Sequence, residues 1–148
     1  MSVPNSSYIA SSDNIFNHLE LDSDRNATVL VMDLRKSTSM MLKASSSSYA
    51  AYLNGLLTRL ISIVSENFGI FEKFTGDGFI ALFMESLVGK SVLRAINTAQ
   101  QCRFAFREFH SRNESIFSSI ISDYGATFGI DFGQVHIRVS YGEKPPRL

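Results

Sequence analysis

Residues 71–83 read FEKFTGDGFIALF, two apolar-rich runs that flank a Gly-Asp-Gly sequence. Asp-Gly between such runs is one of the strongest short-range signals for a β-hairpin. The predicted turn places Asp77 between Gly76 and Gly78, and glycine permits both a positive φ and a close approach to the backbone. Taken alone, this pattern fits a plain turn as well as it fits a ligand-binding tip, so the rest of the chain has to decide.

The composition predicts one globular domain. The chain has 148 residues, of which 45% are hydrophobic and 19% are charged, and this is enough for a sizeable core. Its 14 basic and 14 acidic side chains cancel, so no overall field favours nucleic acid or an anionic membrane as a partner. Cys102 is the single cysteine, which excludes an intrachain disulfide and a cysteine-based zinc site. We expect a buried, inert thiol.

No segment of the sequence predicts membrane insertion or export. No apolar run approaches the length of a membrane span. The first residues, MSVPNSS, lack a basic stretch followed by an apolar one. We therefore expect a soluble cytoplasmic protein that does not bind a membrane.

The first strand is predicted at residues 27–33, ATVLVMD, an apolar run of the kind that forms a central strand buried on both faces. Residues 1–26 are polar and predicted to form an arm or one short helix. After the strand, Ser37 or Thr38 is predicted to cap a short helix that continues to Leu42. A strand that turns directly into a helix presents free N–H groups, which suit a phosphate.

The remaining elements follow from periodicity. The serine run at 45–48 starts a helix that ends near Asn67, with Gly69 as its stop. A second long helix is predicted at 86–113, and 116–121 either extends it or packs as a loop. Residues 126–139 are predicted to form a second hairpin that turns near 132–133. The fold class is thus α+β, with residues 27–148 forming a ferredoxin-like or palm-type sandwich in which helices cover one face of a mainly antiparallel sheet.

Two carboxylates, Asp33 and Asp77, stand at the ends of predicted strands. If the two ends converge, the charges repel by about 4 kcal/mol at an effective dielectric constant near 20. Such a pair needs a shared proton or a cation. Oxygen ligands without nearby cysteine, and with His18, His110 and His136 scattered on surface or partly buried positions, favour Mg²⁺ or Mn²⁺ over zinc. The alternative is that Asp33 caps a turn and Asp77 is an exposed hairpin residue.

At this point three blocks of the sequence resemble the class III nucleotidyl cyclases. VLVMDLRKST at 29–38 resembles the first metal-binding strand of that family, and 71–83 resembles its second metal-binding hairpin. GIDFGQV at 129–135 resembles the hairpin that follows. The blocks occur in the family's order and the resemblance covers about residues 27–140.

The resemblance implies an activity and roles for individual residues. Asp33 and Asp77 would hold two divalent ions, Mg²⁺ or Mn²⁺, with the carbonyl of Leu34 as a further ligand. One ion would help deprotonate the ribose 3′-hydroxyl and the other would hold the β,γ-phosphates of a nucleoside triphosphate. Lys73 stands where many adenylyl cyclases have a base-reading lysine, or is simply a solvated residue. The substrate-binding positions in the triphosphate clamp and at the turn would be Arg35, Lys36, Ser37, Thr38 and Gly76.

The end of the chain departs from the family pattern. Family members carry a later Asn-x-x-x-Arg helix, and nothing in residues 141–148 matches it. We expect that the chain is part of a cyclase, that it is a degenerate cyclase, or that another chain supplies the missing groups. Because active sites in this family form between two subunits, the resemblance implies a homodimer.

The sequence allows more than one nucleobase and more than one activity. The chain resembles the bacterial pyrimidine cyclases of antiphage defence, which make cyclic UMP or cyclic CMP, and we lean towards this group over an adenylate or guanylate cyclase. Diguanylate cyclases are a weaker match because Gly78 stands where they need an acidic residue. A pseudo-cyclase that binds nucleotide and dimerises without turnover is the non-enzymatic alternative.

Glu72 and Arg138 are expected to face solvent.

Overall fold

The computed structural model describes residues 23–85 and 89–137. Strands and helices follow one another in the order β, α, α, β, β, α, β within these ranges. The elements are β1 Ser23–Arg35, α1 Ser37–Leu42, α2 Ser46–Glu66, β2 Ile70–Thr75, β3 Gly78–Met84, α3 Ser91–Asn113, a 3₁₀ turn Glu114–Ile116, and β4 Gly125–Ile137.

The strands form one antiparallel sheet of four strands in the order β2-β3-β1-β4. The helices pack on one face of it, so the predicted α+β sandwich with a mainly antiparallel sheet is confirmed. Strand β1 begins at Ser23, earlier than the predicted residue 27. The rest of the predicted N-terminal arm lies outside the described residues.

The core lies between the sheet and the helices. Alternate residues of β1 point into it, and Leu30, Met32 and Leu34 are all buried there. On the opposite face Ala27 is buried in a small cluster, whereas Val31 is 39% exposed. The prediction that β1 is buried on both faces is therefore wrong at its carboxyl end, because the described helices cover one face alone. We call the other side the open face.

Residues 125–137 contradict the prediction of a second hairpin. They form one strand of 13 residues that pairs with β1 along its whole length, from Ser23 opposite Ile137 to Arg35 opposite Gly125. Phe132 and Gly133, the predicted turn, lie opposite Thr28 and Ala27 within that ladder. The expected strand-turn-strand geometry is absent here because the long strand β1 offers a partner for every residue.

The ends of the first two helices differ from the predictions in detail. Neither Ser37 nor Thr38 caps α1: the capping position is Lys36, with φ 60°, and its side chain makes no capping bond in the described structure. Helix α2 starts at the serine run as predicted, with Ser45 Oγ accepting from the Ser48 N–H at 3.2 Å. At its other end Phe68, not Gly69, takes the positive φ of 58°.

The third helix runs from Ser91 to Asn113, while residues 86–88 of the predicted helix lie outside the described ranges. The ambiguous segment after it is a loop, with the aromatic ring of Phe117 and the side chain of Ile121 buried against the core. Cys102 is fully buried, and burial raises the pKa of its thiol to about 12. Within the described chain no helix combines the length and apolar character needed to cross a membrane.

Candidate active site

Asp33 lies near the carboxyl end of β1, with its side chain exposed on the open face. Its core-facing neighbours Met32 and Leu34 hold the strand against the helices. Because successive strand residues point to opposite faces, burial of these neighbours directs the Asp33 carboxylate outwards. On one side Asp33 pairs with Thr127 of β4. The strand β3 flanks it on the other side.

Gly78, the first residue of β3, lies directly against Asp33. A β-carbon at Gly78 would be 3.0 Å from the Asp33 Cα and 1.9 Å from the Met32 carbonyl oxygen. The ladder of β1 and β3, in which Met32 pairs with Phe79, continues to this point. Only a residue without a side chain allows the hairpin to approach β1 this closely.

The hairpin loop consists of Gly76 and Asp77, because Thr75 and Gly78 are already paired as strand residues. Within this two-residue loop Gly76 has a φ of 62°, a left-handed conformation that suits glycine. Asp77 is half-buried and adjoins Gly78. The fold thus brings the backbone positions of the two predicted carboxylates, 33 and 77, to neighbouring places at one end of the sheet.

The described residues contain no group of three or more His, Cys, Asp or Glu side chains that could hold a metal ion. Among the described residues, Asp33 and Asp77 are the carboxylates that could bind a cation here. Mg²⁺ fits such a site, since it commonly uses one or two carboxylates and completes its coordination with water and substrate phosphate oxygens. The donor set is consistent with Mg²⁺ or Mn²⁺ and unlike that of a structural zinc site.

The segment that follows Asp33 is placed beside the same end of the sheet. The side chain of Leu34 is buried in the core, so only its backbone can face the site. Arg35 ends β1, and Lys36 turns the chain into α1 with a left-handed conformation. Ser37 and Thr38 form the first turn of that helix, where backbone N–H groups have no partner within the helix itself.

Lys73 reaches the open face because of a β-bulge. The pairing shifts between Phe71, opposite Ala81, and Lys73, opposite Ile80, so that one extra residue stands at position 72. Simple alternation would have put Lys73 on the same side as Phe71, which packs against the core. Lys73 and the extra residue are both exposed. The bulge therefore turns the lysine towards the face that carries Asp33.

Tyr49 of α2 is not among the residues that the sequence predicts for the site. Tyr49 is buried, and its hydroxyl oxygen makes no hydrogen bond in the described structure. Burial and then the negative charge of Asp77 raise the pKa of this phenol to about 12. The sequence signal was weak: a tyrosine on the core side of a helix, whose hydroxyl needs a partner when it is buried.

Other polar residues have partners of their own. His110 is buried and its Nδ1 lies 2.8 Å from the Tyr52 hydroxyl oxygen. Burial lowers the pKa of His110, with Glu114 acting in the opposite direction. His136 is exposed and contacts Asp24 at 2.7 Å. His18 and Arg138 lie outside the described residues, and the two described histidines do not converge on Asp33.

Comparison with solved structures shows which proteins share this fold. The adenylyl cyclase CyaB from P. aeruginosa superposes with a TM-score of 0.70 at 21% identity, over 80% of this chain and 60% of that one. The guanylyl cyclase Cya2 gives 0.70 at 23% identity, over 85% and 63%. A dimeric guanylyl cyclase domain of the RhoGC fusion protein from Blastocladiella emersonii gives 0.66 at 19% identity, over 86% and 68%.

At these identities the likeness establishes the fold. The chain has the palm-type fold found in catalytic domains of class III adenylyl and guanylyl cyclases, and it spans about 60% of the length of the first two. No family model matches the sequence, and no curated protein matches it.

Proposed function

We propose that this chain is a class III nucleotidyl cyclase domain that converts a nucleoside triphosphate into a 3′,5′-cyclic nucleotide and pyrophosphate. In this reaction the ribose 3′-oxygen attacks the α-phosphorus, the bond to the β-phosphate oxygen breaks, and pyrophosphate leaves with the electron pair. The proton of the 3′-hydroxyl is lost to a base or to water. The product would serve as a second messenger.

The observation that carries the proposal is the contact between Gly78 and Asp33. It fixes the hairpin tip beside the end of β1, and Asp77 adjoins that contact. The sheet of this chain, which holds that contact, has the fold of class III cyclase catalytic domains. A carboxylate pair at such a place suits two-metal catalysis of phosphoryl chemistry.

The residues that would hold the two ions are Asp33 and Asp77, with the backbone carbonyl of Leu34. Bound divalent ions supply Lewis-acid stabilisation of phosphate charge and lower the pKa of a coordinated hydroxyl. The chain's own part is to orient the substrate. Backbone N–H groups from Arg35 to Thr38 and at Gly76 would donate to triphosphate oxygens, and the exposed ammonium of Lys73 would approach the nucleobase from the open face.

For the base, we propose a pyrimidine, with cyclic UMP or cyclic CMP as the product in cytoplasmic antiphage signalling. This preference rests on the sequence resemblance of 29–38 and 71–83. A purine substrate is the second candidate, favoured by the matched structures, which are adenylyl and guanylyl cyclases. Lys73 is compatible with both, because an ammonium can donate to carbonyl oxygens or ring nitrogens of any base.

We also propose that the active unit is a homodimer that pairs through the open face. Val31, Asp33 and Lys73 are exposed there, so a second subunit could complete the site around a bound nucleotide. The guanylyl cyclase domain of the RhoGC fusion protein from Blastocladiella emersonii is described in a non-canonical dimeric form and in a monomeric form. The chain spans about 60% of the length of the first matched cyclases, and a second subunit could supply groups that orient the ribose.

The test is an assay of the protein with ATP, GTP, UTP and CTP in the presence of Mn²⁺, following pyrophosphate and cyclic nucleotide. Replacing Asp77 by Ala should abolish product. The matched control is Asp131→Asn, since Asp131 is an exposed carboxylate of the same open face, on β4 opposite Val29. Equal rates for the parent and Asp77→Ala would refute the assigned metal site.

The same experiment separates the non-enzymatic alternative. A pseudo-cyclase would bind a triphosphate and Mn²⁺ through Asp33 and Asp77 but release no pyrophosphate. Calorimetric titration with each triphosphate and Mn²⁺ therefore accompanies the assay. Binding without turnover would support the nucleotide-binding module, and neither binding nor turnover would overturn both readings.

A further inference from the structure

The outer side of α3 carries apolar side chains that no described residue covers. Leu93, Ile96 and Phe104 are 57%, 38% and 66% exposed. Together with Gln100 they follow helical spacing and lie on the side of α3 opposite the buried Cys102. We call these four residues the α3 stripe. Large apolar side chains grouped in this way on a surface commonly mark an interaction site.

The α3 stripe borders a groove between α2 and α3. Ile63 of α2 and Ala105 of α3 are buried and line the groove, and Phe104 lines it from the exposed side. A groove between two helices suits one further helix whose apolar side chains recur at helical spacing. The shape of this surface therefore favours an amphipathic helix as its occupant.

The charge around the α3 stripe is basic. Arg103 and Arg107 lie beside Phe104 in the sequence, are exposed, and have no ion pair among the described residues. Lys90, at the start of α3, is exposed as well. Complementary charge selects between partners of similar shape. The expected occupant is thus apolar on one face and acidic overall.

The amino-terminal part of the chain has this chemistry. Residues 8–19, which lie outside the described ranges, read YIASSDNIFNHL. Tyr8, Ile15, Phe16 and Leu19 stand at positions i, i+7, i+8 and i+11, the spacing of one face of an amphipathic helix. Residues 1–24 contain four acidic side chains and neither lysine nor arginine.

The other terminal segment lacks these properties. Residues 138–148 read RVSYGEKPPRL and contain three basic side chains against one acidic side chain. Two consecutive prolines, Pro145 and Pro146, disfavour a helix there. Of the two segments that flank the described part of the chain, the amino-terminal one matches both the shape and the charge of the α3 stripe.

The sheet delivers the amino-terminal segment to the correct end of α3. The described part of β1 starts at Ser23. Helix α3 also begins at this end of the sheet, since Ser91 Oγ lies 2.8 Å from Thr28 Oγ1. Leu93 is in the first turn of α3. A segment that precedes Ser23 therefore meets the α3 stripe first at Leu93 and can follow the helix from there.

The two apolar patterns also have the same length. Leu93 and Phe104 are eleven residues apart, and so are Tyr8 and Leu19. In a helix each pair spans about 16 Å, because the rise is about 1.5 Å per residue. When Leu19 is placed beside Leu93, an antiparallel helix brings Tyr8 to the level of Phe104.

We propose that residues 8–19 dock as an amphipathic helix on the α3 stripe of the same molecule, antiparallel to α3 and with Leu19 beside Leu93. Apolar contacts hold the segment in place. Its acidic charge selects the basic side of α3, although each exposed ion pair contributes little. The inference does not depend on the proposed activity, because none of these residues belongs to the candidate active site.

The first experiment joins the two helices through a disulfide. Leu19→Cys and Leu93→Cys are combined in the full chain, and the protein is oxidised mildly at low concentration. Cys102 is buried, so its thiol does not compete. The matched control combines Leu19→Cys with Asp131→Cys, which lies on the open face. Non-reducing electrophoresis and peptide mass spectrometry follow the product.

We expect an intramolecular disulfide between positions 19 and 93. The control pair should react at least about 10-fold more slowly, because docking raises the effective concentration of the first pair alone. Equal rates for the two pairs, or no disulfide in either, would overturn the proposal. A disulfide between two molecules that disappears on dilution would overturn it as well, since the α3 stripe would then bind a second copy of the chain.

The second experiment measures urea unfolding of the full chain with Leu19→Ala, Leu93→Ala and both substitutions. Alanine preserves helix propensity. Docking buries both leucines, so we expect each single substitution to raise the unfolding constant by about 10-fold. The double variant should be little worse than either single one, since both remove the same contact.

Ile120→Ala is the control for exposure. Ile120 is 92% exposed, and its replacement should leave the unfolding constant close to the parental value. Parental unfolding constants for Leu19→Ala and Leu93→Ala would show that the segment does not cover α3. Fully additive effects of the two substitutions would show that the two leucines do not meet. Either result would overturn the proposal.

Discussion

A β-carbon placed on Gly78 would lie 1.9 Å from the carbonyl oxygen of Met32. Backbone and side chain cannot occupy that space together, so any other residue at 78 would push the hairpin away from β1. Because Asp33 follows Met32 and Asp77 precedes Gly78, this one close approach sets the spacing of the two candidate metal ligands. Glycine is required here for packing rather than for a positive φ, whereas Gly76 has a φ of 62°.

Replacing Gly78 by Ala should therefore separate the two carboxylates. We expect a loss of stability of about 1–3 kcal/mol, typical of overpacking, and a loss of Mn²⁺ binding measured by calorimetric titration. Gly129→Ala is the matched control: Gly129 lies opposite Val31 on β4, and a β-carbon there would have no atom within 4 Å. Parental Mn²⁺ affinity in Gly78→Ala would contradict the role given to this contact.

The hairpin at 71–83 could be predicted because its signal is local. Two apolar runs separated by glycines specify a tight turn without reference to the rest of the chain. Strand β4 could not be predicted in the same way. Phe132 and Gly133 were predicted to form its turn, yet neither has a positive φ, and both lie in a ladder with distant residues of β1. Which strand pairs with β4 is decided by tertiary contact.

The sequence also does not predict on which face of the sheet Lys73 lies. Its face depends on the bulge at position 72, and the sequence contains one hint of it. Phe71 and Phe74 both pack on the core side with ring centroids 4.8 Å apart, although simple alternation allows only residues two or four apart to share a face. The face that Asp33 occupies was not predicted from the sequence either, because the continuous apolar run of β1 does not show which face the helices cover.

Replacing Lys73 by Met tests whether the lysine contacts the nucleotide. Because Lys73 is exposed, we expect stability to change by less than about 0.5 kcal/mol. We expect the KM for the preferred triphosphate to rise by about 10-fold. The KM values for ATP, GTP, UTP and CTP should then differ less from one another than they do in the parent. Both are measured by pyrophosphate release. Lys90→Met at the start of α3 is the control. Unchanged KM values for all four triphosphates would show that Lys73 is a solvated residue.

Replacing Arg94 by Ala should damage the fold without touching the site. The buried guanidinium donates to the carbonyl oxygens of Phe68 and Met84 and lies 5.9 Å above the ring of Phe83. Loss of these contacts leaves two carbonyls without a partner, so we expect about 2–4 kcal/mol of destabilisation by urea unfolding.

The control for Arg94 is Arg103→Ala, an exposed position on the same helix, which should change stability by less than about 0.5 kcal/mol. Met84 is at the far end of β3 from Gly78, about 20 Å away along the strand. Mn²⁺ affinity at low temperature should therefore be parental in Arg94→Ala. A variant that keeps its stability but loses Mn²⁺ would assign Arg94 to the site instead.

The buried His110 should make stability depend on pH. Burial lowers the pKa of His110 in the folded protein, and the carboxylate of Glu114 offsets this only in part. An unfolded histidine titrates near pH 6.5. Below that pH the unfolded chain takes up a proton that the folded protein does not, so the stabilising contribution is present above about pH 6.5 and is lost as the pH falls towards the folded value.

We therefore expect the unfolding constant of the parent to rise as the pH is lowered from 7.5 to 5.0, by at most about tenfold per pH unit from this one group. In His110→Gln that part of the pH dependence should disappear. Carboxylates and His136, which contacts Asp24, are present in both proteins, so their contributions cancel in the comparison. The measurement is urea unfolding at a series of pH values. Parallel pH profiles for the two proteins would show that His110 is protonated equally in the folded and unfolded states, and that its burial against Tyr52 does not exclude the charged form.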